Sequence, residues 1–257
     1  TEIYTLSLHD ALPILATTAL WNSVRDVKTA GVVAEDGQRG TISIAMPMGV
    51  IAALVPSTNP TSTALFKSII AVKARNAIVV SPHPSAAKCT GRAVDIVAQA
   101  AMKAGAPQGL VSCMRSVSLQ GTDALLRDRS VALILATGGT PMVRAAHSVG
   151  KPAYGVGPGN VPCYIDRSAD LEQAAQLLVA SKAFDNSVIC ATEQAAVVDR
   201  AIAGRFAQLV QTHGAYFVSA PEADALRALL FYPDGSINTK TVGQSATVLA
   251  AMAGFDV

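Results

Sequence analysis

From Thr41 onward the chain alternates short apolar runs of strand length with longer stretches of helical spacing, joined by turn residues. The apolar runs predict strands over Val50–Val55, Ala77–Val80, Leu110–Met114, Val131–Ala136 and Ala153–Val156. Between them the spacing predicts helices over Pro60–Arg75, Ser85–Ala104, Leu119–Arg127 and Pro141–Val149. Pro60 and Pro141 suit the first helical position, where a missing N–H costs nothing, and Gly105 and Gly150 suit left-handed C-terminal caps. After the cluster Gly155-Val156-Gly157-Pro158-Gly159-Asn160 the rhythm resumes with strand Cys163–Ile165, helix Leu171–Phe184, strand Ala195–Val198, helix Ile202–Thr212 and strand Tyr216–Val218. Such alternation predicts an α/β fold with a parallel sheet covered by helices on both faces. Upstream of it, Leu20–Ala30 has the pattern of a short helix closed by Gly31 and followed by a polar turn through Glu35, Asp36 and Gly37.

The Gly/Pro cluster places a domain boundary near Gly159–Pro162, separating residues 16–160 from 161–257. Thr1–Leu15 has no basic n-region and no signal-peptidase site, and it does not join the βα rhythm; it is set aside as a non-native N-terminal segment.

Composition narrows the class of partner. Of 257 residues 51% are hydrophobic and only 15% charged, with a formal net charge of +2. No basic stripe or block of like charges is present, which argues against nucleic acid and anionic membrane surfaces and leaves small molecules. Mean hydropathy is +0.38, yet polar residues interrupt every apolar run before it reaches the length of a membrane span. The excess apolar surface points to burial in a homo-oligomer. Cys89, Cys113, Cys163 and Cys190 show no C-x-x-C pairing and no histidine at ligand spacing, so no metal site is expected and a reduced, cytoplasmic setting is the default.

Ligands of open parallel sheets bind beyond the carboxyl ends of the strands. Four polar clusters follow predicted strands: Pro56-Ser57-Thr58-Asn59, Ser81-Pro82-His83-Pro84, Thr137-Gly138-Gly139-Thr140 and Gly157-Pro158-Gly159-Asn160. Thr137–Pro141 is a glycine-rich turn opening a helix, where backbone N–H groups can face a phosphate, although many such turns are purely conformational. The Gly155–Gly159 glycines lack the third-glycine spacing of a dinucleotide fingerprint and by themselves make a turn. Asn59 is held out of the helical region by Pro60, so it is either a fixed amide donor or the N-cap of the helix. His83, between two prolines, is by itself a loop histidine. Cys190 follows a turn-prone polar segment and precedes the apolar run Ala195–Val198, a seat for a nucleophile; with Val188 and Ile189 beside it, it reads equally as a core cysteine. The other three cysteines read as structural.

Taken together, Pro56-Ser57-Thr58-Asn59-Pro60-Thr61-Ser62-Thr63, Ser81-Pro82-His83-Pro84, Ala136-Thr137-Gly138-Gly139, Gly150-Lys151-Pro152-Ala153 and Phe184-Asp185-Asn186 through Cys190 resemble, in order, the motifs of the CoA-acylating aldehyde dehydrogenases. The resemblance runs from Gly40 to the end. It implies a Rossmann-type NAD(P)-binding domain over 16–160 and the start of an α/β catalytic domain over 161–257. It implies that Cys190 is the nucleophile and that Asn59, with the backbone N–H of Cys190, holds the oxyanion. Thr137, Gly138 and Gly139 would hold the pyrophosphate of NAD or NADP, Ser81 and His83 would lie near the adenosine ribose, and Pro56, Thr58 and Gly157 would complete the cofactor site. Coenzyme A would be the co-substrate of a short aldehyde, acetaldehyde by default or sulfoacetaldehyde.

Three departures stand out. Ser187 occupies the position after Asn186 where the family usually has glycine, a change expected to keep the loop. Gly139-Thr140-Pro141 stands where relatives often have a second glycine-rich pair. The family also continues beyond the equivalent of Val257, so the chain is expected to be part of a longer protein. Two rivals remain from the sequence: a hydrolytic aldehyde dehydrogenase, for which Glu193 is the nearby carboxylate, and a non-catalytic βα binding module.

Overall fold

The computed structural model of the protein describes residues 15–257. The expectation for Thr1–Leu15 lies outside them, apart from Leu15, which opens a π-helical turn reaching Ala19. The chain folds as two compact units that divide between Pro158 and Gly159.

The first unit begins with α1 (Leu20–Val24) and an antiparallel hairpin of β1 (Gly31–Asp36) and β2 (Thr41–Ala45). Here the sequence reading is corrected: the helix stops at Val24 instead of Ala30, and the polar turn is the tip of a hairpin. The Asp36 carboxylate accepts the N–H groups of Gln38 and Arg39, both at 3.0 Å, which folds the chain back on itself. Val32, Val33, Ile42 and Ile44 supply the β-branched residues of an extended pair.

The centre of the unit is a five-stranded parallel sheet of β3 (Val50–Val55), β4 (Ala77–Pro82), β5 (Val111–Cys113), β6 (Val131–Thr137) and β7 (Ala153–Val156), in the order β5-β4-β3-β6-β7. From the central β3 the chain winds outward through β4 and β5, then returns to lay β6 and β7 on the other side. Leu54 therefore pairs with Ser81 on one flank and Ala136 on the other. Ala52–Val55 are at most 1% exposed, a continuous apolar run because both sheet faces are covered. On one face Ile51, Ala53 and Val55 pack with Ala64 and Ala71 of α2 (Pro60–Lys73) and Val94 of α3 (Ala87–Lys103). On the other, Ala52 and Leu54 pack with Leu126 of α4 (Leu119–Arg127) and Ala146 of α5 (Thr140–Ser148).

Helix boundaries follow the local chemistry. Pro60 opens α2, while Pro141 takes the second position of α5 because Thr140 is already helical. Gly105 and Gly150 have φ of 92° and 74°, as their capping positions require.

The second unit pairs β8 (Pro162–Ile165) with β9 (Ala195–Val198) in parallel and packs α6 (Leu171–Ala183) against α7 (Ala203–Thr212). Ile165, Ala175, Phe206, Leu209 and Val210 form its core. The Asp170 carboxylate caps α6 by accepting the Gln173 N–H at 3.1 Å. Tyr216–Val218 is irregular, against the expected strand. With no strand paired to it among the described residues, the segment is held by its aromatic: the Tyr216 ring stacks on Phe255 at 6.4 Å, and its hydroxyl donates to Glu222 at 2.9 Å. Two further helices follow, α8 (Ala220–Leu230) and α9 (Ala246–Ala253).

Candidate active site

Because β3, β4, β6 and β7 are parallel, the four polar clusters that follow them emerge along one edge of the sheet. The strand order reverses between β3 and β6, and the stretches 56–59 and 137–139 leave that switch point on opposite sides.

Asn59 occupies the N-cap position of α2, but its carboxamide makes no capping bond. The backbone caps instead, its carbonyl accepting the Thr63 N–H at 3.1 Å and the Ser62 hydroxyl at 3.2 Å. The carboxamide oxygen accepts the Thr58 hydroxyl at 3.4 Å, which leaves the amide N–H groups uninvolved in the helix. Pro56 is half-buried, and Ser57 and Thr58 are exposed.

Ser81 is buried, its hydroxyl 2.9 Å from that of Thr122 on α4. It anchors the end of β4 from inside the unit. His83 lies at the rim. Its Nδ1 accepts the Ser85 N–H at 3.3 Å and sits 2.7 Å from the Ser85 hydroxyl, while its backbone N–H reaches the Val55 carbonyl at 3.0 Å. The loop after β4 is thus tied to the end of β3.

In the glycine-rich turn, Gly138 donates its N–H to the carbonyl of Val156 at 3.1 Å. Gly139 is the N-cap of α5, and its carbonyl takes the N–H groups of Met142 and Val143. With Pro141 lacking an N–H, the amides left to meet an anion are those of Gly139 and Thr140. Gly157 sits above the same helix: a Cβ placed there would lie 3.9 Å from Val143, whereas one on Gly155 would lie 2.4 Å from Val143 Cγ1 and 2.7 Å from His147 Nε2. Gly155 therefore permits the close approach of α5 to β7.

Lys67 was not singled out by the sequence reading. It is 3% exposed, and its Nζ donates to the carbonyls of Leu54 at 2.7 Å and Leu135 at 2.8 Å. Burial pushes its pKa down to about 7. The signal was present in the pattern: Thr63, Lys67 and Ala71 share one face of α2 at a spacing of four, so a lysine falls within the buried stripe.

In the second unit Cys190 is exposed, in a turn between α6 and β9, so the core reading does not hold. Cys113 and Cys163 are half-buried, whereas Cys89 is exposed and bonded to the Ala86 carbonyl. Asp185, Asn186 and Ser187 carry φ of 51°, 46° and 64°, three successive left-handed residues that reverse the chain ahead of Cys190. Thr192, which is buried, closes the turn through N–H and hydroxyl bonds to the Ile189 carbonyl at 3.2 and 3.1 Å. A Cβ on Gly159 would lie 3.6 Å from the Cys190 carbonyl oxygen, so that turn runs close beside the cysteine loop. The Glu193 carboxylate is held below its usual range, chiefly by the Ser181 hydroxyl and further by the Lys182 charge, both on α6. Its Oε2 is buried with no hydrogen-bond partner among the described residues.

The first unit is thus an open parallel α/β sheet with helix amides and polar loops collected at its switch point, and the second presents an exposed cysteine after a left-handed loop. The chain belongs to the aldehyde dehydrogenase family, whose model matches residues 10–224. It is 47% identical over 242 residues to the bifunctional aldehyde-alcohol dehydrogenase AdhE of Escherichia coli K12, covering 94% of this chain and 27% of that protein. The crystal structure of an acetylating aldehyde dehydrogenase from Geobacillus thermoglucosidasius superposes with a TM-score of 0.89 at 47% identity, over 97% of this chain and 55% of that one. Propionaldehyde dehydrogenase from Rhodopseudomonas palustris, solved with bound CoA and an acylated cysteine, matches with a TM-score of 0.76 at 35% identity, over 82% of this chain and 48% of that one. The chain thus spans about half the length of these two solved relatives and about a quarter of the bifunctional one.

Proposed function

We propose that this chain supplies the cofactor-binding and nucleophile-bearing parts of a CoA-acylating aldehyde dehydrogenase, which converts a short aldehyde, CoA and NAD(P)+ to acyl-CoA and NAD(P)H. The reading rests on one contrast. Cys190 is exposed on its loop, while the stretch Gly157-Pro158-Gly159-Asn160, whose Gly159 lies beside the cysteine loop, contains no carboxylate to activate water.

The Cys190 thiolate adds to the aldehyde carbonyl, forming a C–S bond and an alkoxide that Asn59 and a main-chain N–H stabilise. When bound, NAD(P)+ accepts the hydride that leaves this carbon. The residues present fit such a group: the Gly139 and Thr140 amides stand at the start of α5, and Gly157 leaves the space above that helix open. Pro56, Thr58, Thr137 and Gly138 would lie along its path and His83 at the rim near the adenosine end, which Ser81 would support from inside through Thr122. The thioester on Cys190 is then attacked by the CoA thiolate, which releases acyl-CoA and regenerates the cysteine thiolate. A thiol partly ionised near neutrality needs no enzymic base as water does. Glu193, whose carboxyl is held below its usual range chiefly by the Ser181 hydroxyl, is the carboxylate the hydrolytic alternative would need. Acetaldehyde and sulfoacetaldehyde are the short aldehydes to compare, with NAD+ and NADP+ tested in parallel. We further place the enzyme in the cytoplasm as a homo-oligomer.

The test uses a chimera that continues this chain with the remaining residues of the Geobacillus relative. Without CoA, NAD(P)H should form as a stoichiometric burst at most; with CoA, turnover should be sustained and thioester should accumulate in step with reduced cofactor. Sustained turnover to free carboxylate without CoA would replace this reading with the hydrolytic one.

A further inference from the structure

We infer that Lys67 is a positioning residue: its buried amine ties the carboxyl end of β3 to that of β6 and so sets the spacing between the 56–59 and 137–139 stretches. The inference rests on the proposed function for what those stretches hold. Its geometry stands apart from that reading.

Leu54 and Leu135, whose carbonyls receive the Lys67 hydrogen bonds, each lie two residues before the point where their strand gives way to a candidate site stretch: Pro56 after β3, Thr137 at the end of β6. These are the adjacent strands of the switch point, from which the chain leaves in opposite directions. Ladder bonds hold the strands along their length but give out where the chains diverge, and a cross-link there has the most leverage over the loops. The other buried side chains of α2, from Ser62 to Ala71, are all small and uncharged; a lysine turned inward among them carries a desolvation penalty that they avoid. Lys67 also borders, with Leu135, Ala136, Thr137 and Val156, an open cavity of about 850 Å³, the same wall that carries the Thr137 turn. The tie does not depend on charge. An ammonium has three donors and a neutral amine two, and two carbonyls need two.

Amide hydrogen exchange reads the tie directly, without substrate. The reporters are His83, whose N–H bonds the Val55 carbonyl beside Leu54, and Gly138, whose N–H bonds Val156 just past β6. In Lys67→Met both amides should exchange about tenfold faster or more, while α6 and α7 keep their wild-type rates. Affinity for NAD+ or NADP+ should fall by a similar factor at a temperature where the variant is folded, and Lys67→Arg, which keeps donors for both carbonyls, should restore slow exchange. Unchanged exchange at both reporters in folded Lys67→Met, or acceleration spread evenly over the first unit, overturns the inference and leaves Lys67 a packing residue. If Lys67→Met does not fold, Lys67→Arg decides: slow exchange at both reporters supports the tie, and fast exchange overturns it. Binding of neither dinucleotide by the wild-type chain counts against the proposed function alone, because the exchange comparison is made without ligand.

Discussion

Asn186 donates its side-chain N–H to the main-chain carbonyl of Gly243 at 2.9 Å, across 57 residues of chain. The bond matters because Asn186 is the middle of three left-handed residues leading to Cys190. A conformation that disfavours most side chains is held in place by an amide anchored outside the loop.

From this follows a paired prediction. Asn186→Ala should destabilise the second unit by about 1 kcal/mol, the net worth of one hydrogen bond, and should change the alkylation rate of Cys190 more than that of Cys89. Ser187→Gly should act oppositely, raising stability by roughly 0.5–1 kcal/mol, since relief of left-handed strain outweighs the added freedom of the unfolded chain. Denaturant midpoints with a single-hit thiol label measure both. Equal stability of Ser187→Gly and wild type would show that the hydroxyl's 3.3 Å contact with Thr192 offsets the strain.

Gly155→Ala should be costly although its backbone is not left-handed. A methyl there meets Val143 at 2.4 Å and the His147 ring at 2.7 Å, so α5 must shift away from β7, at about 1–3 kcal/mol. The shift carries the Gly139 and Thr140 amides with it, so dinucleotide affinity should fall together with the melting temperature. A drop in stability with unchanged affinity would place those amides outside the binding site.

The strands and the edge they point to were legible because a buried parallel sheet leaves continuous apolar runs such as Ile51–Val55, and helix punctuation such as Pro60 and Gly105 is local chemistry. The hairpin at Gly31–Ala45 was not recovered: its strands are largely exposed, so burial imposes no in–out alternation on them. Helix α8 was legible in principle, because Ser219 and Glu222 form a reciprocal capping box. For the site, sequence position brought Asn59 and Thr137 to one sheet edge. It did not show that the Gly138 amide is spent on Val156, nor that the Ser81 hydroxyl turns inward to Thr122. Those depend on how α4 and β7 pack, which no local pattern encodes.

Lys67 makes stability depend on pH in a stated direction. Its folded pKa of about 7 lies below the ordinary 10.5, so between these values the unfolded chain binds more protons than the folded one and stability rises with pH. The gain is complete above about 10.5 and is lost as pH falls through about 7. Its full size is on the order of 5 kcal/mol, reduced by the two carbonyls, which favour the ammonium form. Urea midpoints from pH 6.5 to 10 should therefore climb more steeply in wild type than in Lys67→Met. Parallel curves would mean that the carbonyls cancel the desolvation and the amine stays charged in the fold.

The roles of Cys190, Asn59 and Glu193 separate in the chimera with the Geobacillus relative. Cys190→Ser should abolish aldehyde oxidation, because a serine hydroxyl at that position has no base to ionise it, while dinucleotide affinity, which depends on the first unit, stays near the wild-type value. Asn59→Ala should keep the thiol and its alkylation rate but lower turnover by roughly 10² to 10³, the usual cost of one oxyanion donor. That difference is diagnostic: an Asn59 acting only as N-cap of α2 would cost stability and leave turnover nearly unchanged, and its carboxamide makes no capping bond. Glu193→Gln tests the hydrolytic alternative from the other side. If the carboxylate is held by Ser181 as a structural anion, its neutral isostere should leave CoA-dependent turnover within about threefold of wild type and should not alter the product, since a conserved geometry keeps most of the local hydrogen bonding. Loss of a free-acid product on Glu193→Gln would identify that carboxylate as the base and overturn the assignment of CoA as the acyl acceptor.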